Sequence, residues 1–92
     1  MKGKSTKKVA IKYKRGTQKN LTKDQKEILR GMGMNIRKLR ISKGYTIEAL
    51  ANKCDMEKAN FIPIEKGITN LSTLTLYKIA KALEVKIDDF FR

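Results

Sequence analysis

The sequence predicts an all-α fold, a compact helical bundle over residues 23–92 preceded by a basic, flexible arm over residues 1–22. Three observations carry this. Apolar residues recur three and four apart in two long stretches, Ile28-Met32-Ile36-Leu39 and Leu76-Ile79-Ala80-Leu83, as one face of a helix requires. Thr22, Thr46 and Ser72 stand just ahead of patterned stretches, where a short hydroxyl side chain accepts from first-turn N–H groups. Gly44 and Gly67 follow such stretches, where a left-handed residue ends a helix.

Taken in order, Met1 to Asn20 is rich in lysine, with Gly3, Ser5, Thr6, Gly16 and Thr17 interspersed, and offers too little apolar surface to order itself. Within it Val9, Ile11 and Tyr13 alternate at strand period, and a strand there would pair with its copy in a dimer. The first helix begins near Asp24; Thr22 and Gln25 have the spacing of a capping box. Gly31 and Gly33 weaken its middle and predict a bend, and Gly44 ends it. A short second helix starts after Thr46 and carries Ile47, Leu50 and Ala51 to Lys53. Asp55 follows at a turn position, where Asp tolerates a left-handed backbone. A third helix runs from Lys58, with Glu57 as a weak cap, Phe61 and Ile64 as core residues, and Gly67 as its stop. Ser72 caps the fourth helix. Val85 and Ile87 lead into a last turn, from which Phe90 or Phe91 is expected to fold back on the core.

Composition narrows the function. At 92 residues the chain has one modest core. No apolar run approaches the roughly 18 residues of a membrane span, and the basic first residues lack the apolar stretch of a secretory signal. The single cysteine, Cys54, forms no disulfide within the chain, which fits a cytoplasmic protein. With one cysteine and no histidine, a zinc site and the usual catalytic bases are missing, so neither a metal, nor a cofactor, nor an enzyme activity is expected. Asp88 and Asp89 are adjacent acids, but neighbouring positions on a short helix point apart. The net charge of +13 suits a polyanion. It is uneven: residues 1–23 hold nine basic side chains and no acid, whereas residues 24–92 carry only +4. The arm lacks the bulky apolar face of a membrane-binding amphipathic helix, so nucleic acid is the expected polyanion.

Two short helices joined by a tight turn, inside a bundle and beside basic residues, have the form of a helix-turn-helix. Between Asn35 and Phe91 the chain reads N-I-R-K-L-R, then I-E-A-L-A, I-E-K-G, L-Y-K-I-A-K-A-L-E-V and D-D-F-F, in that order. In these motifs, over about 57 of the 92 residues, it resembles the phage repressor and Cro family of helix-turn-helix proteins, also called the XRE family. The resemblance implies a five-helix domain whose third helix enters the major groove of double-stranded DNA. It also implies a homodimer on a palindromic operator, often acting as a repressor.

Residue by residue, the resemblance assigns Arg40 and Glu65 to a buried salt bridge between the first and third helices, and Leu50, Ala51, Ile64 and Ile79 to the core. Cys54 falls where the family has a small residue, so a packed thiol is expected. The DNA-facing set falls at Thr46 and Ile47, at Lys58, Ala59, Asn60 and Pro63, and in the loop Lys66 to Asn70. Lys58 would reach a guanine edge or a phosphate, and Asn60 would pair with adenine. Thr46, Lys66, Thr69 and Asn70 suit phosphate contacts, which position rather than specify. The dimer surface is expected on the fourth and fifth helices, with Tyr77, Phe90, Phe91 and Arg92.

Four positions depart from the family pattern. Ile47 replaces a phosphate-binding glutamine, Glu57 a capping Ser or Thr, and Leu71 a frequent loop proline. Pro63 stands where a polar residue often faces DNA. Inside a helix its ring removes a hydrogen bond and clashes with the Ala59 carbonyl, so the third helix is expected to kink or to end near Phe61. An exposed apolar patch around Ile47, Phe61 and Ile62 would instead favour a protein partner, as in an interaction module or an antitoxin. Ligand sensing is not expected, since these 92 residues offer no second domain to hold a pocket.

Overall fold

The structure, a computed structural model, describes residues 21–92. Residues 1–20, with the strand-period stretch Val9 to Lys14 and nearly all of the expected arm, lie outside the described residues. The described residues form four α-helices and a terminal 3₁₀ turn: α1 (Lys23–Ser42), α2 (Ile47–Lys53), α3 (Lys58–Glu65), α4 (Thr73–Leu83) and the turn Ile87–Phe91. The fifth helix of the expected bundle is thus this short turn.

Local chemistry sets most boundaries. The Thr22 hydroxyl accepts from the Gln25 N–H at 3.1 Å, while the Gln25 side chain accepts from the Thr22 N–H at 2.9 Å, completing the capping box. Thr46 Oγ1 accepts from Ala49 N–H, and Ser72 Oγ from Thr75 N–H, in the same manner. Gly44 and Gly67 take positive φ (82° and 74°), as does Asp55 (59°) between α2 and α3. Glu84 also takes a positive φ of 60° at the end of α4, where no glycine announced it.

One expectation is corrected: α3 continues through Pro63 to Glu65 instead of ending near Phe61, while α1 is one continuous helix through Gly31 and Gly33. The proline sits in an eight-residue helix anchored on either side by fully buried Phe61 and by Ile64. Burial of two such side chains stabilises by about 1.5–3 kcal/mol each, enough to offset one lost hydrogen bond.

The core lies where α1, α2, α3 and α4 converge, around Ile36, Leu50, Phe61, Ile64, Ile79 and Leu83. Ala51 and Cys54 are buried with them. Ile28, expected on the core face of α1, is 58% exposed, because the covered face of α1 begins one residue later, at half-buried Leu29. Of the two terminal phenylalanines, Phe90 is fully buried and Phe91 is exposed. The Asn35 amide fastens this turn to α1 by donating to the Phe90 carbonyl at 2.8 Å and to that of Arg92 at 3.3 Å. Arg92 in turn pairs with Asp88 at 2.9 Å and Asp89 at 3.5 Å, and Asp89 also accepts from the Lys86 N–H.

Candidate nucleic-acid interface

One guanidinium ties the unit α2–turn–α3 to α1. Arg40, near the end of α1 and 8% exposed, donates from Nε to Glu65 Oε2 at 2.6 Å and from Nη2 to Glu65 Oε1 at 3.1 Å. Its Nη1 donates to the Tyr45 carbonyl at 2.8 Å, in the link that leads into α2. Three segments are therefore held by one planar, five-donor group, which Lys could not replace. The Arg40–Glu65 pair is the one the resemblance implies; the Tyr45 carbonyl is a partner no sequence pattern marks.

With Phe61 and Ile64 turned into the core, the first turn of α3 presents the opposite side of the helix. Glu57, Lys58, Ala59 and Asn60 are all exposed. Glu57 is the N-terminal boundary residue of α3, yet its side chain makes no capping hydrogen bond. Thr46 is exposed, and Ile47 and Pro63 are half-buried. In the following loop Lys66 is exposed and Asn70 half-buried. Thr69 is buried, at 8% exposure, which leaves it little surface for the phosphate contact expected of it. What remains exposed of it lines the groove between α3 and the start of α4.

An open groove of about 880 Å³ separates α3 from the start of α4; Glu57, Asn60 and Pro63 form one wall, and Asn70, Ser72 and Lys78 belong to the other. Leu21, the first described residue, lines a smaller hollow with Gln25, Ile28, Leu29 and Asn70. Leu21 therefore lies beside Asn70, in the loop that follows α3. The apolar patch that would favour a protein partner is not formed: Phe61 is fully buried and Ile47 and Ile62 are half-buried.

Two further residues have simple roles. Cys54 is buried, with Sγ 3.9 Å from the Lys78 carbonyl; burial pushes its thiol pKa up, against the smaller opposing pull of Lys78 and Lys53. It is a packed thiol. Among the described residues no cluster of three or more His, Cys, Asp or Glu side chains could hold a metal, and no helix is long and apolar enough to cross a membrane.

An exposed first turn on a short helix, following a second short helix at a tight turn and braced from behind, is the arrangement of a DNA-reading helix-turn-helix. The chain belongs to the helix-turn-helix family HTH_3, whose model matches residues 36–90. This is a family of DNA-binding transcriptional regulators and not of enzymes. It is 37% identical over 60 residues to an uncharacterised HTH-type transcriptional regulator of Archaeoglobus fulgidus, covering 65% of this chain and 86% of that one. It is 38% identical over 58 residues to the control protein C.BamHI of Bacillus amyloliquefaciens, covering 62% and 72%. Among solved structures, it resembles the restriction-modification controller protein C.AhdI from Aeromonas hydrophila, with a TM-score of 0.66 and 30% identity over 68% of this chain and 96% of that one.

Proposed function

We propose that this protein is a sequence-specific transcriptional repressor that binds a palindromic operator as a homodimer in the cytoplasm. The observation that carries the reading is the exposed first turn of α3. Lys58 and Asn60 are the side chains that read base edges there, Lys58 at guanine and Asn60 at adenine. Ala59 and Pro63 complete the apolar part of that surface, while Thr46, Lys66 and Asn70 meet phosphates around it. Ile47 stands at the start of α2 without a phosphate bond to make.

The dimer reading draws on exposed apolar side chains outside the α3 face. Leu74 and Tyr77 share a face of α4 at 74% and 52% exposure, and Phe91 projects from the terminal turn packed on that helix. Phe90 belongs to the core and so does not form that surface, whereas Arg92 stays exposed beside it in its ion pairs. A C2 pair would place two α3 helices about one turn of DNA apart. The relationship to restriction-modification controller proteins fits a regulator of this size and form.

The test is selection from a randomised duplex pool at two salt concentrations, followed by sequencing of the retained DNA. An enriched palindrome supports the reading. Retention without enrichment, lost at the higher salt, would reduce the protein to a backbone binder and overturn it.

A further inference from the structure

We infer that Gly33 is a positioning residue for DNA reading: its missing side chain sets where α3 sits. This rests on the proposed reading of DNA by α3. A Cβ built on Gly33 would fall 2.7 Å from the Glu65 carbonyl oxygen and closer still to that of Ile64. Both obstacles are backbone at the end of α3, so no rotamer change relieves them. From the other side, Gly67 lies just beyond α3 with φ +74°, and its Cβ would fall 2.5 Å from the Arg30 Cα and 2.9 Å from the Leu29 carbonyl oxygen. Residues 29–33 of α1 and 64–67 thus meet backbone to backbone, with a glycine on each side of the seam.

Gly33 and Arg40 are seven residues apart, two turns along one side of α1. The seam and the Arg40–Glu65 pair therefore hold the C-terminal end of α3 at two points. An alanine at position 33 must drive that end away from α1 by at least a few tenths of an ångström. The displacement passes to Pro63, Lys66 and the outer turn with Asn60, because a short helix moves as a unit. Base reading tolerates only about 0.5 Å or 10–20° of such error. Gly31 supplies the internal comparison: it lies in the same helix, is exposed, and a Cβ there meets nothing within 4 Å.

The experiment uses the full chain as wild type, Gly31→Ala, Gly33→Ala and the double variant. The preferred site selected by the wild type and a scrambled duplex of equal length are the two probes, at one salt concentration and at a temperature where circular dichroism shows each variant folded. Gly31→Ala should raise Tm by about 2–8 °C, as Ala for Gly in an exposed helix does, and leave the ratio of the two affinities unchanged. In the double variant that ratio should fall at least tenfold while binding to the scrambled duplex stays within twofold, since phosphate contacts survive a small tilt. A ratio kept within twofold in a folded Gly33→Ala or double variant overturns the inference, as does equal loss on both probes. A double variant unfolded at every temperature would confine Gly33 to folding and overturn it too. A wild type that selects no site refutes the DNA reading itself, which is a separate failure seen before any variant is made.

Discussion

Arg40 and Glu65, twenty-five residues apart in the chain, share two hydrogen bonds across the interface of α1 and α3, with side chains only 10% and 6% exposed. The third guanidinium nitrogen, Nη1, donates to the Tyr45 carbonyl, so neither charge is left without partners. Removing one member strands the other. Arg40→Ala or Glu65→Ala should each lower unfolding stability by about 3–5 kcal/mol, read from urea denaturation. The apolar pair Arg40→Met with Glu65→Leu should recover most of that loss. A single-variant loss below about 1 kcal/mol would place the pair with exposed ion pairs.

Pro63 is carried inside α3 at a cost. Restoring the N–H toward the Ala59 carbonyl with Pro63→Ala should raise stability by about 1–3 kcal/mol, measured by thermal and urea unfolding. Pro63→Arg should keep operator binding intact or strengthen it, because it adds a donor and a charge at a half-buried position bordering the exposed turn of a helix that is already formed. A large loss of binding would contradict the reading in which specificity rests on Lys58, Ala59 and Asn60.

The root of the basic arm at Leu21 lies beside the loop of Lys66 and Asn70. If the arm meets DNA phosphates, the slope of log affinity against log salt steepens by about 0.9 per contact. Deleting residues 2–20 should flatten the slope while the fold persists, since the Thr22–Gln25 cap remains. Binding measured at four or five salt concentrations decides this; equal slopes for the two proteins would make the arm idle.

Cys54 gives a pH signature. Its thiol pKa is raised in the folded protein by burial, so the unfolded chain ionises first. The stability it contributes is whole below the ordinary thiol range, about pH 8.5, and is lost as pH rises through that range toward the folded value. Cys54→Ala should therefore lose less Tm between pH 7 and 10 than the wild type, even if it starts lower through the small cavity it leaves. Parallel Tm curves would contradict the sign of this shift.

Some of the fold was legible because it is local. The caps at Thr22, Thr46 and Ser72 close hydrogen bonds over three residues, and Gly44, Asp55 and Gly67 answer a backbone demand at a single position. Periodicity marked the buried side of α1 but not where cover begins, so Ile28 was placed inside and lies outside. The same limit applies to the site. The exposure of Lys58 and Asn60 follows from a short helix whose apolar residues point inward, whereas Thr69 looked like a surface hydroxyl and is buried.

What residues within one turn of each other can decide was settled along the chain: the helix starts, the left-handed stops, the excess charge on the first 23 residues, and the helix-turn-helix order. What depends on distant segments meeting was settled by packing. Phe90 and not Phe91 enters the core because Asn35 fastens that turn against α1. Pro63 remains helical because Phe61 and Ile64 are buried on either side of it. Gly33 matters because two backbones approach there more closely than any side chain permits. Such choices turn on excluded volume and burial, which exist only once the helices have come together.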